Sequence, residues 1–412
     1  MASATVGVLA VPRRLRAQPM SIKIASLHPL SGPLADFGRA CRLGAHIAVD
    51  AVNAAGGVRS LGGARLELVA CDTEGRAETA RVEAERAIDR GAHLLIGALH
   101  SEHTAAIATV AQERRRPFLI DVSAADPITA GVADAVRRGQ HPRQYVFRIC
   151  PTTAMTGRRA VQYMTEIFRE ADTVPKRVTL IHVDDLFGQT QTRQFRAAVR
   201  AMQPPFEIVD AIPFPELATD LSREVARLKA ARPDVIVPVT RPASAIALLR
   251  ELAKQRVPFL GIVSPGAPGF HEPAQLAQLE ALGEHVMVTL PWPNFRSPRI
   301  ATLADEYARR TRGQVIEANP GYSCDAVLLL ADALERAQSM DPDALVDAIR
   351  ATSFPDPVMV SAGPVVFDVT GDNANAAPAL IQILGRRPVP VWPKAVAMQN
   401  VVFPRPGASA ER

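Results

Sequence analysis

Short apolar runs alternate with amphipathic stretches along most of these 412 residues, and the rhythm is played twice. In the first round, residues 22–27, 65–70, 94–97 and 118–120 read as buried strands. Between them, 39–54, 77–90 and 104–114 carry apolar side chains at helical spacing. After 145–149, also strand-like, the pattern restarts. Strands at 178–183, 206–209, 235–239, 259–263 and 286–289 are separated by helices at 190–202, 220–230 and 243–254. Such alternation specifies parallel sheets covered on both faces, and two rounds of it specify two similar α/β lobes. The remaining chain makes no third round. Residues 301–312, 323–338 and 342–352 read as helices, and 358–360, 365–367 and 381–384 as strand or hairpin. A helical tail needs a sheet to cover, so it is expected to cross back to both lobes and create several connecting segments, a hinge.

Composition narrows the function. Hydrophobic residues make up 48% and charged residues 22%, ordinary for a globular protein. No run reaches the roughly 18–20 apolar residues of a spanning helix, and the candidate at 326–334 is interrupted by Asp332. The +5 net charge is thinly spread, and the clusters at 13–16 and 114–116 have no interleaved aromatics. A nucleic-acid partner is therefore not expected, whereas the mildly basic surface suits anionic ligands. Cys41, Cys71, Cys150 and Cys324 lie far apart, which excludes a compact zinc framework and leaves disulfides undecided. Residues 1–20 are set aside as a leader or disordered segment. Their apolar stretch precedes Arg13-Arg14, the reverse of a secretory signal, so either a misplaced start or the remnant of an export signal fits.

Catalytic signatures for phosphate-binding loops, dinucleotide binding, nucleophile elbows and zinc proteases are missing; His271-Glu272 lacks its second His. An enzyme is not expected, nor a cofactor or metal. The cluster His100-Ser101-Glu102-His103 follows the strand at 94–97 and admits three readings. It is an incomplete metal site, a helix start capped by Ser101, or an anion site where a helix N-terminus meets the carboxyl end of a parallel strand. The loops 122–126, 240–242 and 264–266 occupy equivalent positions. So does Asp184-Asp185, read either as an acid/base pair or as a capped helix start with a surface carboxylate.

These residues resemble a known family. The opening from Ile24 to Gly38, with its Pro29-Leu30-Ser31-Gly32-Pro33, runs into a helix ending Asn53-Ala54-Ala55-Gly56-Gly57-Val58. This is similar to the periplasmic leucine/isoleucine/valine-binding proteins of ABC transporters. Leu68 to Asp72, Ile96-Gly97, Asp184 to Gly188 and Tyr322 to Ala326 extend the likeness, which covers 21 to about 404. The resemblance implies a type I periplasmic binding protein: two Rossmann-like lobes, parallel sheets and a three-crossover hinge. Lobe one would comprise 21–146 plus 292–357, and lobe two 147–291 plus 358–412. The ligand carboxylate would meet Ser101, Ser123, Ala124 and Ala125. Phe37 and Phe187 would supply walls, Leu99 and His100 a floor, and Tyr322 a further wall position. His100 could also hydrogen-bond a ring hydroxyl or keto group, or be simply buried.

The departures carry information too. Family members that bind amino acids place an acidic residue after the strand at 259–263, to pair with the ligand ammonium. Here Ser264-Pro265-Gly266 stands there, and Thr240 with Arg241 replaces a lobe-two tyrosine. A buried ammonium without a carboxylate costs several kcal/mol. The expected ligand is therefore an organic acid with an aromatic or apolar body. The alternatives are a branched-chain or other amino acid, and a cytoplasmic ligand-sensing regulator of the same fold. The family's cysteine pair near the first lobe is also missing, with Gly75 and His100 in its place. A periplasmic location and membrane permease partners follow from the resemblance.

Overall fold

The computed structural model describes residues 21–408 apart from 33, 216 and 268. The leader assigned to 1–20 lies outside the described residues. Strands β1 (Ser21–His28), β2 (Arg65–Asp72), β3 (Leu94–Gly97), β4 (Phe118–Ile120) and β5 (Val146–Arg148) form a sheet of order β2-β1-β3-β4-β5. All its pairings are parallel. Helices α1 (Ala35–Ala54), α2 (Ala77–Asp89), α3 (Ser101–Glu113) and α4 (Pro127–Arg137) connect these strands. Alternate side chains feed two cores, as the pleat requires. Ile22, Ile24, Leu94, Ile96 and Leu119 pack toward α1. Ala25, Leu27, Leu95, Phe118 and Ile120 pack toward α2 and α3.

Helix α5 (Thr153–Glu170) begins the second lobe. There β6 (Arg177–Val183), β7 (Glu207–Phe214), β8 (Val235–Val239), β9 (Gly261–Ser264) and β10 (Met287–Leu290) alternate with α6 (Leu186–Met202), α7 (Ser222–Ala230), α8 (Pro242–Lys254) and α9 (Pro273–Leu279). The chain then returns to the first lobe. Helices α10 (Pro298–Arg310), α11 (Ala318–Ala337) and α12 (Pro342–Arg350) contribute Ile300, Leu303, Leu329, Leu330 and Leu345 to its α1-side core. Gly44 lets α1 approach α11 closely, because a Cβ there would stand 2.2 Å from the Pro320 carbonyl oxygen. Finally β11 (Ala379–Leu384) and β12 (Arg387–Trp392) join the second sheet antiparallel, giving the order β12-β11-β10-β9-β8-β6-β7.

Three connections therefore run between the lobes, and they are bonded to one another. Arg148 N–H donates to the Gly371 carbonyl at 2.8 Å, and Asn373 N–H to the Arg148 carbonyl at 2.9 Å. Asn294 N–H reaches the Val358 carbonyl at 2.7 Å, and Val360 N–H the Trp292 carbonyl at 2.9 Å. The segments 358–360 and 365–367, expected as strand or hairpin, make only isolated bridges because they serve as these connectors. Helices α4, α5 and α9 and strand β12 were not anticipated. Pro388 and Pro390 argue against a strand by themselves, but β12 is an edge, where a missing donor is tolerated.

Candidate binding cleft

The carboxyl ends of the parallel strands in each lobe carry the expected site residues other than Phe37 on α1 and Tyr322 on α11. After β3 the chain turns sharply at Gly97, whose φ of +137° suits glycine. A Cβ there would lie 2.4 Å from the Leu27 carbonyl oxygen. The turn delivers half-buried Leu99 and exposed His100 to the start of α3. His100, not Ser101, is the N-cap residue, and no side chain caps the helix. This corrects the capped-start reading. As first helical residue, Ser101 points its hydroxyl elsewhere: Ser123 Oγ donates to Ser101 Oγ at 3.3 Å. The first-turn N–H groups of α3 are thus left for an external acceptor, beside two converging hydroxyls.

The loop after β4 is held from beneath. Ser123 is 2% exposed, and Ala124 and Ala125 are half-buried. The Ala124 carbonyl accepts Thr153 N–H at 3.0 Å, while the Ala125 carbonyl accepts Arg148 Nη2 at 2.7 Å. Arg148, fully buried, also meets Thr129 Oγ1 at 3.1 Å and lies 3.4 Å from Asp372. Below the neighbouring strand ends, His28 Nε2 lies 2.9 Å from Asp121, which accepts from Ser323 Oγ at 2.6 Å; Ser26 Oγ is 2.9 Å from His28 Nδ1. Burial alone would lower the His28 pKa, but Asp121 and Cys41 outweigh it and hold it up at about 10.

In lobe two, Asp185 caps α6 by accepting Gly188 N–H at 2.7 Å, and Arg241 Nη2 reaches its other oxygen at 2.6 Å. The guanidinium lies over the Phe187 ring, 4.4 Å from its centroid. Burial would raise the Asp185 pKa, but the backbone N–H and Arg241 together lower it. Arg241, which stands beside the position of the family's tyrosine, does not present a free cation: Asp185 neutralises it in place. Thr240 is buried behind it. Ser264 is buried at the end of β9, its Oγ accepting Ala267 N–H at 3.1 Å.

The structure thus joins Ser101 to Ser123 in one lobe and Phe187 to Arg241 in the other. Among the described residues, no hydrogen bond links the two sets. Phe37 stands 51% exposed on α1. Tyr322 is not a wall: it is 4% exposed in the lobe-one core, and its hydroxyl has no partner among the described residues. Burial raises its pKa well above the ordinary range. His100 and His103 rings stand 5.3 Å apart, yet no group of three or more metal-ligating side chains occurs among the described residues. All four cysteines are free and buried. The capped-start reading of Asp184-Asp185 holds for Asp185, but its ion pair with Arg241 and the loop support by Arg148 were not read from the sequence. A lone arginine in the apolar run 145–149 was the available signal, since a buried charge demands a partner.

Two doubly wound lobes, with helices starting at the carboxyl ends of their parallel strands and three crossovers between them, define a two-lobed binding-protein fold of the type I periplasmic class. The chain belongs to the periplasmic binding protein family, whose profile matches residues 21–384. It is 26% identical over 356 residues to a leucine-, isoleucine-, valine-, threonine- and alanine-binding protein of Pseudomonas aeruginosa, covering 86% of this chain and 88% of that one. A putative branched-chain amino acid ABC transporter protein from Silicibacter pomeroyi shares the fold with TM-score 0.80 at 18% identity, over 94% of this chain and all of that one. An ABC transporter substrate-binding protein from Desulfitobacterium hafniense in complex with Leu gives TM-score 0.68 at 22% identity, covering 90% and 99%.

Proposed function

We propose that this chain is the extracytoplasmic solute-binding component of an ABC importer, and that it closes its lobes on a small carboxylate-bearing solute and passes it to membrane permease subunits. We take the five-stranded sheet with α1–α4 and α10–α12 as lobe one and the seven-stranded sheet with α5–α9 as lobe two, so the boundaries expected at 146/147 and 357/358 move: Phe147, Val358, Met359 and Val365 pack in the lobe-one core. One observation carries the reading: the uncapped N-terminus of α3 beside the Ser101–Ser123 hydroxyl pair. Free N–H groups and a helix dipole favour an anion there, so the solute carboxylate docks on lobe one. Phe187 with its Arg241 lid supplies an apolar and polar wall from lobe two. Lobe two adds its contacts only when the hinge closes, so ligand binding shifts the equilibrium toward the closed form. No step requires bond making or breaking.

The relatives favour an aliphatic amino acid over the organic acid expected from sequence, and so does the Asp185–Arg241 pair, because lobe two is not left with a free cation. A second reading, an aromatic or apolar organic acid, keeps one specific support: Ser264-Pro265-Gly266 offers no carboxylate to an ammonium. A thermal-shift panel of leucine, isoleucine and valine against benzoates, phenylpropanoids and keto acids separates the two. A ligand at 100 times its Kd stabilises by about 2.7 kcal/mol, a readily visible shift. Response to the amino acids alone supports the first reading, and response to the acids alone the second. Turnover of any ligand, or no response to either set, would overturn both.

A further inference from the structure

The outer face of α6 carries a feature that the cleft does not use. Arg193, Arg196 and Arg200 repeat at intervals of three and four, which places them on one stripe spanning about 10 Å of helix. Together with Gln189, Thr192 and His182 they line a groove of about 300 Å³. Among the described residues, no carboxylate lines it. Arg196 and Arg200 make no ion pair among the described residues, and Arg193 meets only Thr190 Oγ1, at 3.1 Å. Gln189, at one end of the groove, donates its Nε2 to Asp184 at 2.9 Å.

The floor of the groove is built rather than incidental. Thr192 is 6% exposed, and its hydroxyl has no partner among the described residues. A buried hydroxyl without a partner costs free energy that a bound oxygen acceptor would recover. His182, 8% exposed, fixes its Nδ1 on the Val183 carbonyl at 3.0 Å. That bond assigns the proton to Nδ1 and leaves Nε2 as the ring's remaining polar atom. Three guanidiniums and a buried hydroxyl donor around one groove match an anion with several oxygens.

We propose that this groove binds a phosphate-bearing anion, independently of the cleft. The planar forks of Arg196 and Arg200 hold phosphate oxygens, and Thr192 donates from below. The phosphate belongs either to a small free molecule or to a lipid headgroup, and the same chemistry serves both.

Titration calorimetry with inorganic pyrophosphate on the full chain tests the idea, at about 0.01 M and again at about 0.15 M salt. Binding is expected at the lower salt and weaker at the higher. The double substitution Arg196→Gln with Arg200→Gln should weaken it at least about tenfold, and Thr192→Val should weaken it less. Both variants should keep the wild-type affinity for the cleft ligand, so a failure here is distinct from a failure of the importer reading. Flotation with phosphatidylglycerol against phosphatidylcholine vesicles assigns the source. Arginine-dependent capture by the anionic vesicles places the phosphate on lipid, and pyrophosphate binding without such capture makes it free. Absence of both at low salt, or binding unchanged in the double variant, overturns the proposal.

Discussion

At the scale of single residues, the cleft is decided by which polar groups are already satisfied. Ser101 and Ser123 each carry a hydroxyl, but only their 3.3 Å approach makes them a joint feature beside free helix N–H groups. Removing one hydroxyl from a charged acceptor costs about 1.5–3 kcal/mol. Ser101→Ala should therefore weaken the cleft ligand roughly tenfold or more with little change in thermal stability of the unliganded protein. Calorimetry with whichever ligand the thermal-shift panel selects provides the check, and equal affinities would show that the carboxylate docks elsewhere. The Asp185–Arg241 pair makes a second prediction. Asp185→Asn removes the charge that neutralises Arg241, so lobe two gains an unpaired cation beside Phe187. The variant should shift preference from amino acids toward carboxylates lacking an ammonium, read as a changed ratio of the two affinities.

At the scale of elements, the first crossover is where the loop after β4 and the hinge share a residue. Arg148 ends β5, holds the Ala125 carbonyl of the proposed ligand loop, and pairs with Asp372 of the third crossover. Burial raises the Asp372 pKa, while Arg148 opposes the shift. Breaking a buried pair from one side typically costs about 3–5 kcal/mol, because the remaining charge is stranded. Arg148→Met should destabilise by that order in urea denaturation, and Arg148→Met with Asp372→Leu should recover part of the loss. If the double variant is no better than the single one, the pair is not the source of the effect. Much of this element scale was legible beforehand: the strands and helices bracketing both halves follow from periodicity. Helices α4 and α5 were hidden because Gly131 and Gly157 dilute their helical pattern, and β12 because its prolines read as a break.

At the scale of the whole molecule, buried titratable groups tie the two-lobed fold to pH. The folded-state pKa of His28 is raised to about 10 from an ordinary 6.5, so the folded form retains its proton where the unfolded chain releases it. Its contribution is fully present below pH 6.5 and is lost as pH rises toward 10. Asp325 works in the same direction. Burial outweighs its bonds from Val358 N–H at 2.7 Å and Met359 N–H at 2.9 Å and lifts its pKa to about 7. Stability tied to it is lost between about pH 4 and 7. Denaturation midpoints measured from pH 6.5 to 10 should fall for the wild type, and His28→Gln should flatten that slope. A slope identical in the variant would remove His28 from the explanation.

The sequence by itself determined the two rounds of parallel α/β structure, the returning helical tail and the family, because hydrophobic period and turn residues are local properties that survive in a one-dimensional string. It also placed the candidate residues at strand ends, since parallel topology puts helix N-termini there. Only the tertiary structure decided how they are used. Asp185 neutralises Arg241 from 56 positions away, and Arg148 meets Asp372 across 224. Such pairings are set by how sheets and crossovers stack in space, and no local pattern encodes which distant charge will arrive. Tyr322 makes the same point in reverse: its place on α11 was legible, but the packing of that helix under the hinge turned it into the core.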